Sequence, residues 1–290
     1  MKKESFLNKY WAYFFIAIPV ALQAVFFYLP LVQGVYYSMT DWSGLTRNFN
    51  FVGLSNFTEI ATDIRVLDSL RFTAIFTLAL VVGSIGLGLF IAVLLNKNIK
   101  GTNFFRSTYF FPAIISTVTL GMIFRQIFNR GIPQVGELLG IEWMMNNILA
   151  SRDTAVGGVI FVALWQALAV PIVIFLAGLQ SVPLEIKEAA DIDGANKWQK
   201  FKSIELPFLQ AAISIVLILS IKGGLTAFDL IFTLTGGGPG NSTTPLGLLV
   251  YNYAFTQNRF GYANAIAIVT FVLIAVVSII QIVGSRRYDA

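Results

Sequence analysis

Cysteine and histidine are absent from this 290-residue chain, and charged residues make up only 12% of it. Disulfides, thiol nucleophiles, imidazole bases and the usual zinc and haem ligands are therefore excluded. The dipeptide Gly-Lys is also missing, so the chain has no GxxxxGK[ST] loop to hold nucleotide phosphates. No nucleophile stands beside a base in the sequence. We expect no catalytic residue, no metal site and no cofactor bound by this chain.

The chain consists largely of long runs of apolar residues. The chain is 56% hydrophobic with a mean hydropathy of +0.74, well outside the range of soluble globular domains. About 20 mostly apolar residues in a helix cross the hydrocarbon core, and the runs lack the two-residue alternation of a membrane barrel. Residues 1–290 thus predict one all-α polytopic membrane domain with six transmembrane helices. The six segments are Trp11–Met39, Phe72–Leu95, Ser107–Phe124, Thr154–Val182, Phe208–Leu234 and Ala263–Val283.

The basic start of the chain, followed at once by an apolar run, also fits a secretory signal peptide. The run is about twice as long as the apolar region of such a peptide, and no small-residue cleavage site ends it. We expect this first helix to be retained.

Lysine and arginine placement predicts the orientation in the membrane. With the N-terminus inside, the inner segments hold 12 of the 20 basic residues and seven acids, whereas the outer segments hold seven of each. Both termini are therefore predicted to be cytoplasmic. Because the basic excess reflects topology, it gives no reason to expect a nucleic-acid partner. The inner basic residues are Lys2, Lys3, Lys9, Lys97, Lys100, Arg106, Lys187, Lys197, Lys200, Lys202, Arg286 and Arg287.

A polar island at 181–207 carries nine charged side chains between the fourth and fifth predicted spans. Ser181 is suited to cap a short helix, and Pro183 fits its first turn. Gly194 supplies the left-handed backbone that ends such a helix. A second short helix follows, with an apolar stripe at Trp198, Phe201 and Ile204. The island indicates a docking loop; an amphipathic segment lying on lipid headgroups is the alternative.

This island resembles the EAA loop of permease subunits in bacterial ABC importers. The resemblance extends over nearly the whole chain and favours the carbohydrate branch, of the maltose and glycerol-phosphate type. Some maltose-type members have extra N-terminal spans and a large outer domain, so this chain resembles the shorter six-span form. The segments that carry the resemblance are Glu188-Ala189-Ala190, Asp193-Gly194-Ala195 and Ile204-x-Leu206-Pro207 in the loop, then Phe51–Phe57, Phe105-Arg106 before Phe111-Pro112, Phe228-Asp229, Leu234–Pro239, Ser242-Thr243 and Phe260–Ala263.

The resemblance implies the fold of a type I ABC importer permease, with 181–207 as a cytoplasmic coupling loop in the cleft of a separate ATPase. Glu188 would be the polar anchor, and the small Ala189 and Ala190 would allow close contact. Gly194, between Asp193 and Ala195, would set the bend. Ile204, Leu206 and Pro207 would tie the loop back to the membrane. ATP and magnesium would be bound by the ATPase.

The partners implied by the resemblance are a second homologous permease, two copies of the ATPase, an extracellular solute-binding protein and the lipid of the bacterial inner (cytoplasmic) membrane, in which the chain is multi-pass. The expected cargo is a carbohydrate, with an oligosaccharide favoured; a monosaccharide, an acidic sugar or a glycerol phosphate stays open. A stand-alone secondary transporter or channel is the first alternative, although acidic relays are scarce in the spans. A scaffold that merely recruits an ATPase is the second.

A few polar residues in or near the spans are candidates for the substrate pathway. Lys222 and Asp229 are seven residues apart, so a continuous helix would place them on one face, about 10 Å from each other. Gln166 lies mid-span beside Trp165, a pairing suited to sugar hydroxyls and faces. The alternatives are a structural contact to a neighbouring helix for Lys222, a hydrated residue at the helix end for Asp229, and simple packing for Trp165. Two weaker candidates, Tyr251 and Asn252, lie between an outer, non-helical turn at Gly236–Gly240 and the last span.

Four prolines within predicted spans, and a run of small residues in the second span, predict local geometry. Proline removes a backbone donor and bends a helix, whereas small residues allow close helix approach. The prolines are Pro19, Pro30, Pro112 and Pro171, and the small residues are Gly83, Ser84, Gly86 and Gly88.

We expect Glu188→Lys and Gly194→Asp each to uncouple transport while leaving membrane insertion intact. The first reverses the charge of the implied anchor, and the second removes the residue suited to the bend. Substrate uptake by cells, with membrane-fraction immunoblots as the control for insertion, measures the effect. Normal uptake by both variants would show that the coupling assignment is wrong.

Overall fold

The computed structural model describes residues 6–96 and 102–285. Within these ranges the regular structure is helical, and the only β pairing is an isolated bridge between Thr40 and Phe51. Several of the predicted inner basic residues lie outside the described ranges, and the side chains of Lys9 and Arg106 are likewise not described. The residues outside are Lys2, Lys3, Lys97, Lys100, Arg286 and Arg287.

Seventeen α-helices follow one another in the described residues. They are α1 (Phe6–Gln23), α2 (Leu29–Tyr37), α3 (Ser55–Thr62), α4 (Ile64–Leu95), α5 (Thr102–Ile114), α6 (Thr117–Gln126), α7 (Ile132–Leu139), α8 (Glu142–Met145), α9 (Arg152–Ala167), α10 (Ala169–Gln180), α11 (Leu184–Ile192), α12 (Lys197–Lys200), α13 (Leu206–Phe208), α14 (Gln210–Leu225), α15 (Asp229–Leu234), α16 (Leu246–Tyr251) and α17 (Phe260–Ser285).

Three of the described helical segments are long and apolar enough to span a membrane alone: Tyr13–Tyr37, Ile64–Leu95 and Phe260–Gln281. Three bent pairs pass the same test together, which gives up to six spans if each pair crosses once. The third, fourth and fifth predicted spans therefore each consist of two helices that meet at a bend. The bent pairs are Ser107–Ile114 with Thr117–Leu139 at 101°, Arg152–Ala167 with Ala169–Gln180 at 46°, and Lys197–Phe208 with Gln210–Leu225 at 66°.

Proline explains several of the irregularities. Pro171 has no N–H to donate to the carbonyl four residues earlier, and α9 ends at that residue, Ala167. Three π turns are each followed by a proline at the second residue of the next helix. A π turn widens the backbone and helps a helix accommodate a ring that lacks a donor. The pairs are Ala24–Tyr28 with Pro30, Ile127–Gly131 with Pro133, and Phe201–Glu205 with Pro207.

The chain divides into two compact units, of which the first comprises described residues 6–63 and 250–271. Buried Asn56 donates two hydrogen bonds from Nδ2, to the Ser38 carbonyl at 2.8 Å and to the Thr40 carbonyl at 2.9 Å. Gly261 lies so close to the Thr40 carbonyl that a Cβ there would collide with it. A side-chain amide at position 56 therefore satisfies two backbone carbonyls, and a glycine at position 261 leaves room for the Thr40 carbonyl.

An ionic and aromatic cluster fastens α3 to the start of α17 in the same unit. The hydroxyls of Tyr253 and Tyr262 both donate to the Asp63 carboxylate. Arg259 donates to Glu59 at 2.6 Å, and its guanidinium carbon lies 4.3 Å from the centroid of the Tyr262 ring. The hydrogen bond to Glu59 raises the pKa of Arg259, so this residue stays charged at any physiological pH.

The second unit comprises described residues 64–249 and 272–285, and α4 is its central helix. Helices α9, α10 and α14 pack on α4. Close approach is confirmed at Gly83 and Gly88, where a Cβ would run into Leu164 and Pro171 respectively, and Ser84 is buried. The prediction of close approach is wrong for Gly86, because a Cβ there would meet nothing within 4 Å. A core cluster closes one end of the packing, formed by Ala92, Phe175, Leu176, Leu179, Leu209, Ala212 and Val216.

We expect Gly224→Val to destabilise the protein and Gly223→Val, one residue away in α14, to have little effect. A Cβ at Gly224 would lie 2.6 Å from the Thr77 Cα of α4, whereas one at Gly223 meets nothing within 4 Å. Overpacking of this kind costs about 1–3 kcal/mol, and each kcal/mol lowers Tm by about 2–4 °C.

Thermal unfolding of both variants, followed by size-exclusion chromatography in detergent, checks this expectation. The two substitutions carry the same helix-propensity cost, so equal shifts would contradict the proposed contact between α4 and α14.

Candidate coupling loop and membrane cavity

The first helix of the loop, α11, begins after Pro183, which occupies the N-cap position. The predicted capping by Ser181 is wrong. The Ser181 hydroxyl donates to the Gly178 carbonyl at 2.8 Å instead, so this residue closes the preceding helix, α10. The carbonyls at the end of α10 lack intrahelical donors, and the serine hydroxyl satisfies one of them.

The predicted break at Gly194 is confirmed. Its φ of +75° is left-handed, a conformation that costs any residue with a Cβ. Beyond it, the Ala195 amide donates back to the Ala190 carbonyl at 2.9 Å, and the Asp193 amide donates to Ala189 at 3.0 Å. These bonds close the end of α11 in the manner of a glycine-terminated helix.

The second helical segment of the loop runs from Lys197 to Phe208 and bends by 66° into α14. Asn196 starts it with a capping box: its side chain accepts from the Gln199 amide, and the Gln199 side chain accepts from the Asn196 amide. This helix start was not predicted, although Asn and Gln three residues apart are the sequence signature of a capping box. The predicted helix through Trp198, Phe201 and Ile204 is present, with a π turn at Phe201–Glu205.

Two ion pairs hold the loop in shape. Lys200 of the second segment meets Asp191 of α11 at 2.5 Å. Lys187 lies 3.6 Å from Glu205 and also donates to the Leu179 carbonyl at 3.3 Å, which ties α11 to the end of α10. Each pair is partly exposed and contributes little alone; together they hold the two helical segments of the loop against each other.

The loop leaves apolar side chains uncovered. Ile192 is 87% exposed, Trp198 69% and Leu184 64%. Glu188 and Ala189 lie on α11, as do Leu184 and Ile192, and are also exposed. Apolar side chains clustered on a polar loop mark a surface that another molecule covers.

The structure brings part of the predicted coupling set together. One hollow of about 340 Å³ is lined by Asp193, Gly194, Ala195 and Ile204, with Gln199, Lys200 and Ser203. Half-buried Leu206 and exposed Pro207 lie at the entry to α14. Their roles in coupling stay predictions.

Two of the predicted pathway residues, Gln166 and Asp229, line one cavity of about 360 Å³. Helix ends surround it, because α6 begins at Thr117 and the break between α14 and α15 spans Thr226–Phe228. Hydroxyl, amide and carboxylate groups therefore face the same space as aromatic rings. The other lining residues are Phe76, Leu80, Thr117, Ala163, Ala167, Gly223, Thr226, Ala227, Phe228, Leu230 and Ile231.

Gln166 also stabilises the sharpest of the three bends in the apolar helix pairs described above. Its Nε2 donates to the Ile115 carbonyl and to the Thr117 hydroxyl, both at 3.2 Å, at the 101° break between α5 and α6. A carbonyl at such a break has lost its helical donor, and lipid supplies none. The neighbouring Trp165 ring packs edge-on against Phe124, with centroids 5.4 Å apart.

Lys222 and Asp229 do not lie on one continuous helix, so the expectation that they share a face is wrong. The helix α14 ends at Leu225, and Asp229 begins α15 after the break. Lys222 is exposed in the last turn of α14 and does not line the cavity of Gln166. A pathway role for either residue stays a prediction.

Tyr251 and Asn252 belong to the first unit. Tyr251 ends α16, with its ring centroid 5.1 Å from that of Phe255. Asn252 begins a π turn, Asn252–Thr256. Their predicted contact with substrate stays a prediction.

The Gly236–Gly240 turn is non-helical, as predicted. Threonine hydroxyls brace it from within: Thr243 donates to the Gly238 carbonyl at 2.7 Å and Thr244 to the Gly237 carbonyl at 3.0 Å. Arg152 donates to the Gly240 carbonyl at 2.9 Å and so fixes the turn to the start of α9. The turn is a rigid feature of the second unit.

We expect Gln166→Leu to lower Tm by several degrees, because the Ile115 carbonyl loses its donor inside the protein. An unsatisfied buried acceptor costs about 1–3 kcal/mol. Gln126→Leu is the matched control, since Gln126 is exposed on α6. Thermal unfolding in detergent measures both, and an unchanged Tm for Gln166→Leu would contradict the bracing role.

Residues 84–289 match the family model described as "Binding-protein-dependent transport system inner membrane component". The chain is 54% identical over 283 residues to the multiple sugar-binding transport system permease protein MsmF of Streptococcus mutans, covering 98% of each protein. It is 33% identical over 288 residues to the probable starch degradation products transport system permease protein AmyD of Thermoanaerobacterium thermosulfurigenes, covering 99% of this chain and 98% of that protein.

A chain of a bacterial ABC transporter that imports the acidic polysaccharide alginate has the same fold. The TM-score is 0.82 at 17% sequence identity, with 97% of each chain covered. A bacterial alginate ABC transporter in complex with an alginate pentasaccharide-bound periplasmic protein also matches, again with a TM-score of 0.82. The chain therefore belongs to the family of inner-membrane components of binding-protein-dependent transport systems: it is a multi-pass permease subunit of an ABC importer, works with a solute-binding protein, and is not an enzyme.

Proposed function

We propose that this chain carries a carbohydrate, an oligosaccharide in the first instance, through the bacterial inner membrane as one of two permease subunits. The observation that carries the proposal is the 54% identity to a multiple sugar-binding permease protein along 98% of both chains. The starch-product relative supports the same cargo class. A solute-binding protein delivers the sugar and makes the first selection.

The energy comes from a separate ATPase, which binds ATP and magnesium. The chain has no phosphate-binding Gly-Lys loop of its own. Its uncovered loop residues, Leu184, Ile192 and Trp198, give the ATPase an apolar contact surface, and Glu188 beside them gives a polar anchor. Closure of two ATPase copies then pulls two such loops together and switches the access of the pathway.

The loop and both termini face the cytoplasm in this proposal. Lys187, Lys197, Lys200 and Lys202 all lie in the loop, and basic residues accumulate on the inner side of a membrane. This orientation puts the loop in the compartment that contains ATP.

A second permease subunit covers the exposed side of α14. Lys222 is exposed there, near the end of an apolar helix, and has no ion-pair partner among the described residues. A charge in a membrane span faces water or a polar partner rather than lipid. We place Lys222 toward the second subunit, along the path between the two.

The cavity of Gln166 and Asp229 is the sugar site of this subunit. Its volume of about 360 Å³ lies at the lower end for small-molecule sites. Thr226 and Asp229 offer acceptors for sugar hydroxyls, and Phe76 and Phe228 offer apolar faces. The site lies at the break between α14 and α15, where a shift of either helix changes its shape.

Purification in mild detergent from native membranes, with mass spectrometry of the associated proteins, tests the assembly. We expect an ATPase and a second permease of similar length. Recovery of the chain alone, under conditions that keep a known importer intact, would overturn the proposal in favour of a stand-alone transporter.

We expect Ala227→Trp to abolish sugar uptake by filling the cavity, without loss of the assembled complex. Ala177→Trp is the matched control, because Ala177 is exposed on α10 and does not line the cavity. Uptake of a labelled oligosaccharide into proteoliposomes, with the binding protein and ATP supplied, measures both variants. Full uptake by Ala227→Trp would show that the cargo does not use this cavity.

A further inference from the structure

A second cavity of the same unit, about 680 Å³ in volume, lies between α4 and the second segment of the loop. Of its lining residues, only Trp198 also belongs to the contact surface proposed for the ATPase. We call it the α4 groove. It is lined by Gly86, Leu89, Phe90, Val93, Asn96, Leu179, Lys197, Trp198, Lys200, Phe201 and Glu205.

One wall of the α4 groove is an apolar stripe. Gly86, Leu89, Phe90 and Val93 follow the spacing of one helix face, and seven residues of helix extend about 10 Å. Phe90 is 62% exposed. Gly86 leaves a gap, since a Cβ there would meet nothing within 4 Å. The stripe lies on a helix long enough to cross the membrane.

The opposite wall is aromatic and interfacial in character. The rings of Trp198 and Phe201 are 5.9 Å apart, and Trp198 is largely exposed. Tryptophan is enriched where hydrocarbon meets headgroups, because its ring is apolar and its N–H donates to a polar neighbour.

The polar end of the groove carries one uncompensated positive charge. Two of its charged residues are already paired, Lys200 with Asp191 and Glu205 with Lys187. Among the described residues, Lys197 has no ion-pair partner, and its side chain is exposed. The apolar stripe of the α4 groove thus has an unpaired ammonium group at its polar end.

We propose that the α4 groove binds an anionic phospholipid. An acyl chain lies along the stripe from Gly86 to Val93, and the headgroup phosphate accepts a hydrogen bond from the Lys197 ammonium. Trp198 packs beside the glycerol region. A lipid fits because the groove combines an apolar wall on a membrane helix with a cation at its end. The proposal requires only that the chain is a membrane protein, and it is independent of which solute is carried.

Titration of the purified full-length chain in detergent with phosphatidylglycerol or phosphatidylcholine, followed by native mass spectrometry, tests the site. We expect phosphatidylglycerol to bind more tightly. Lys197→Gln should weaken its binding about fivefold, which corresponds to about 1 kcal/mol for one basic side chain near anionic lipid. Lys202→Gln is the matched control, because Lys202 is exposed and does not line the groove.

Gly86→Leu tests the apolar part independently of charge. The new side chain would occupy the gap on the stripe and should reduce phosphatidylglycerol binding as strongly as Lys197→Gln. Gly157→Leu is its control, since a Cβ at exposed Gly157 in α9 also meets nothing within 4 Å. Unchanged binding by both groove variants would overturn the proposal, as would equal affinity for the two lipids.

Two further measurements distinguish lipid from other occupants. Displacement of the bound lipid by excess inorganic phosphate would identify a free-anion site and overturn the lipid assignment; retention of the lipid supports it. Cross-linking from position 197 in the assembled importer gives the second measurement. A cross-link to a protein partner, with no lipid retained, would show that a subunit covers the groove, and lipid retained in the assembled complex supports the proposal.

Discussion

Hydrocarbon offers no hydrogen-bond partner, so each backbone group within the membrane must find its partner inside the protein. Continuous helices meet this demand by themselves, as in α4 and α17. A broken helix does not, and at the break between α5 and α6 the chain uses the side chain of Gln166 for the Ile115 carbonyl. This amide lies at a bend of 101°, and Gln166 and Thr117 at the bend both line the same cavity. The polar lining of this cavity is thus linked to a requirement of the backbone.

Composition was enough to predict the helical membrane fold, since the length of an apolar run determines whether it can cross a bilayer. The break at Thr226–Phe228 was not predicted, because the run 208–234 contains no proline and is long and apolar enough on average to form one span. That is why the shared face of Lys222 and Asp229 was wrong. Gly194 was predictable because its left-handed φ has a residue signature; Ser181 was not, since a serine between two helices suits either end.

The loop illustrates how weak interactions produce a stiff element. Neither the pair of Lys200 and Asp191 nor that of Lys187 and Glu205 is deeply buried. Both nevertheless join α11 to the second helical segment, and the hydrogen bond from Lys187 to the Leu179 carbonyl adds the end of α10. Gly194 fixes the turn, and the capping box of Asn196 fixes the restart. These short-range contacts hold the shape of the loop, although α11 and α12 contain no buried residue.

Leu209 lies at the 66° bend into α14 and is completely buried. It is therefore the fixed point about which this helix would tilt. Sixteen residues separate the bend from the far end of α14, a length of about 24 Å. A tilt of about 5° around Leu209 displaces that far end by about 2 Å, by the same geometry. A displacement of this size at the far end of α14 would change the shape of the cavity lined by Thr226.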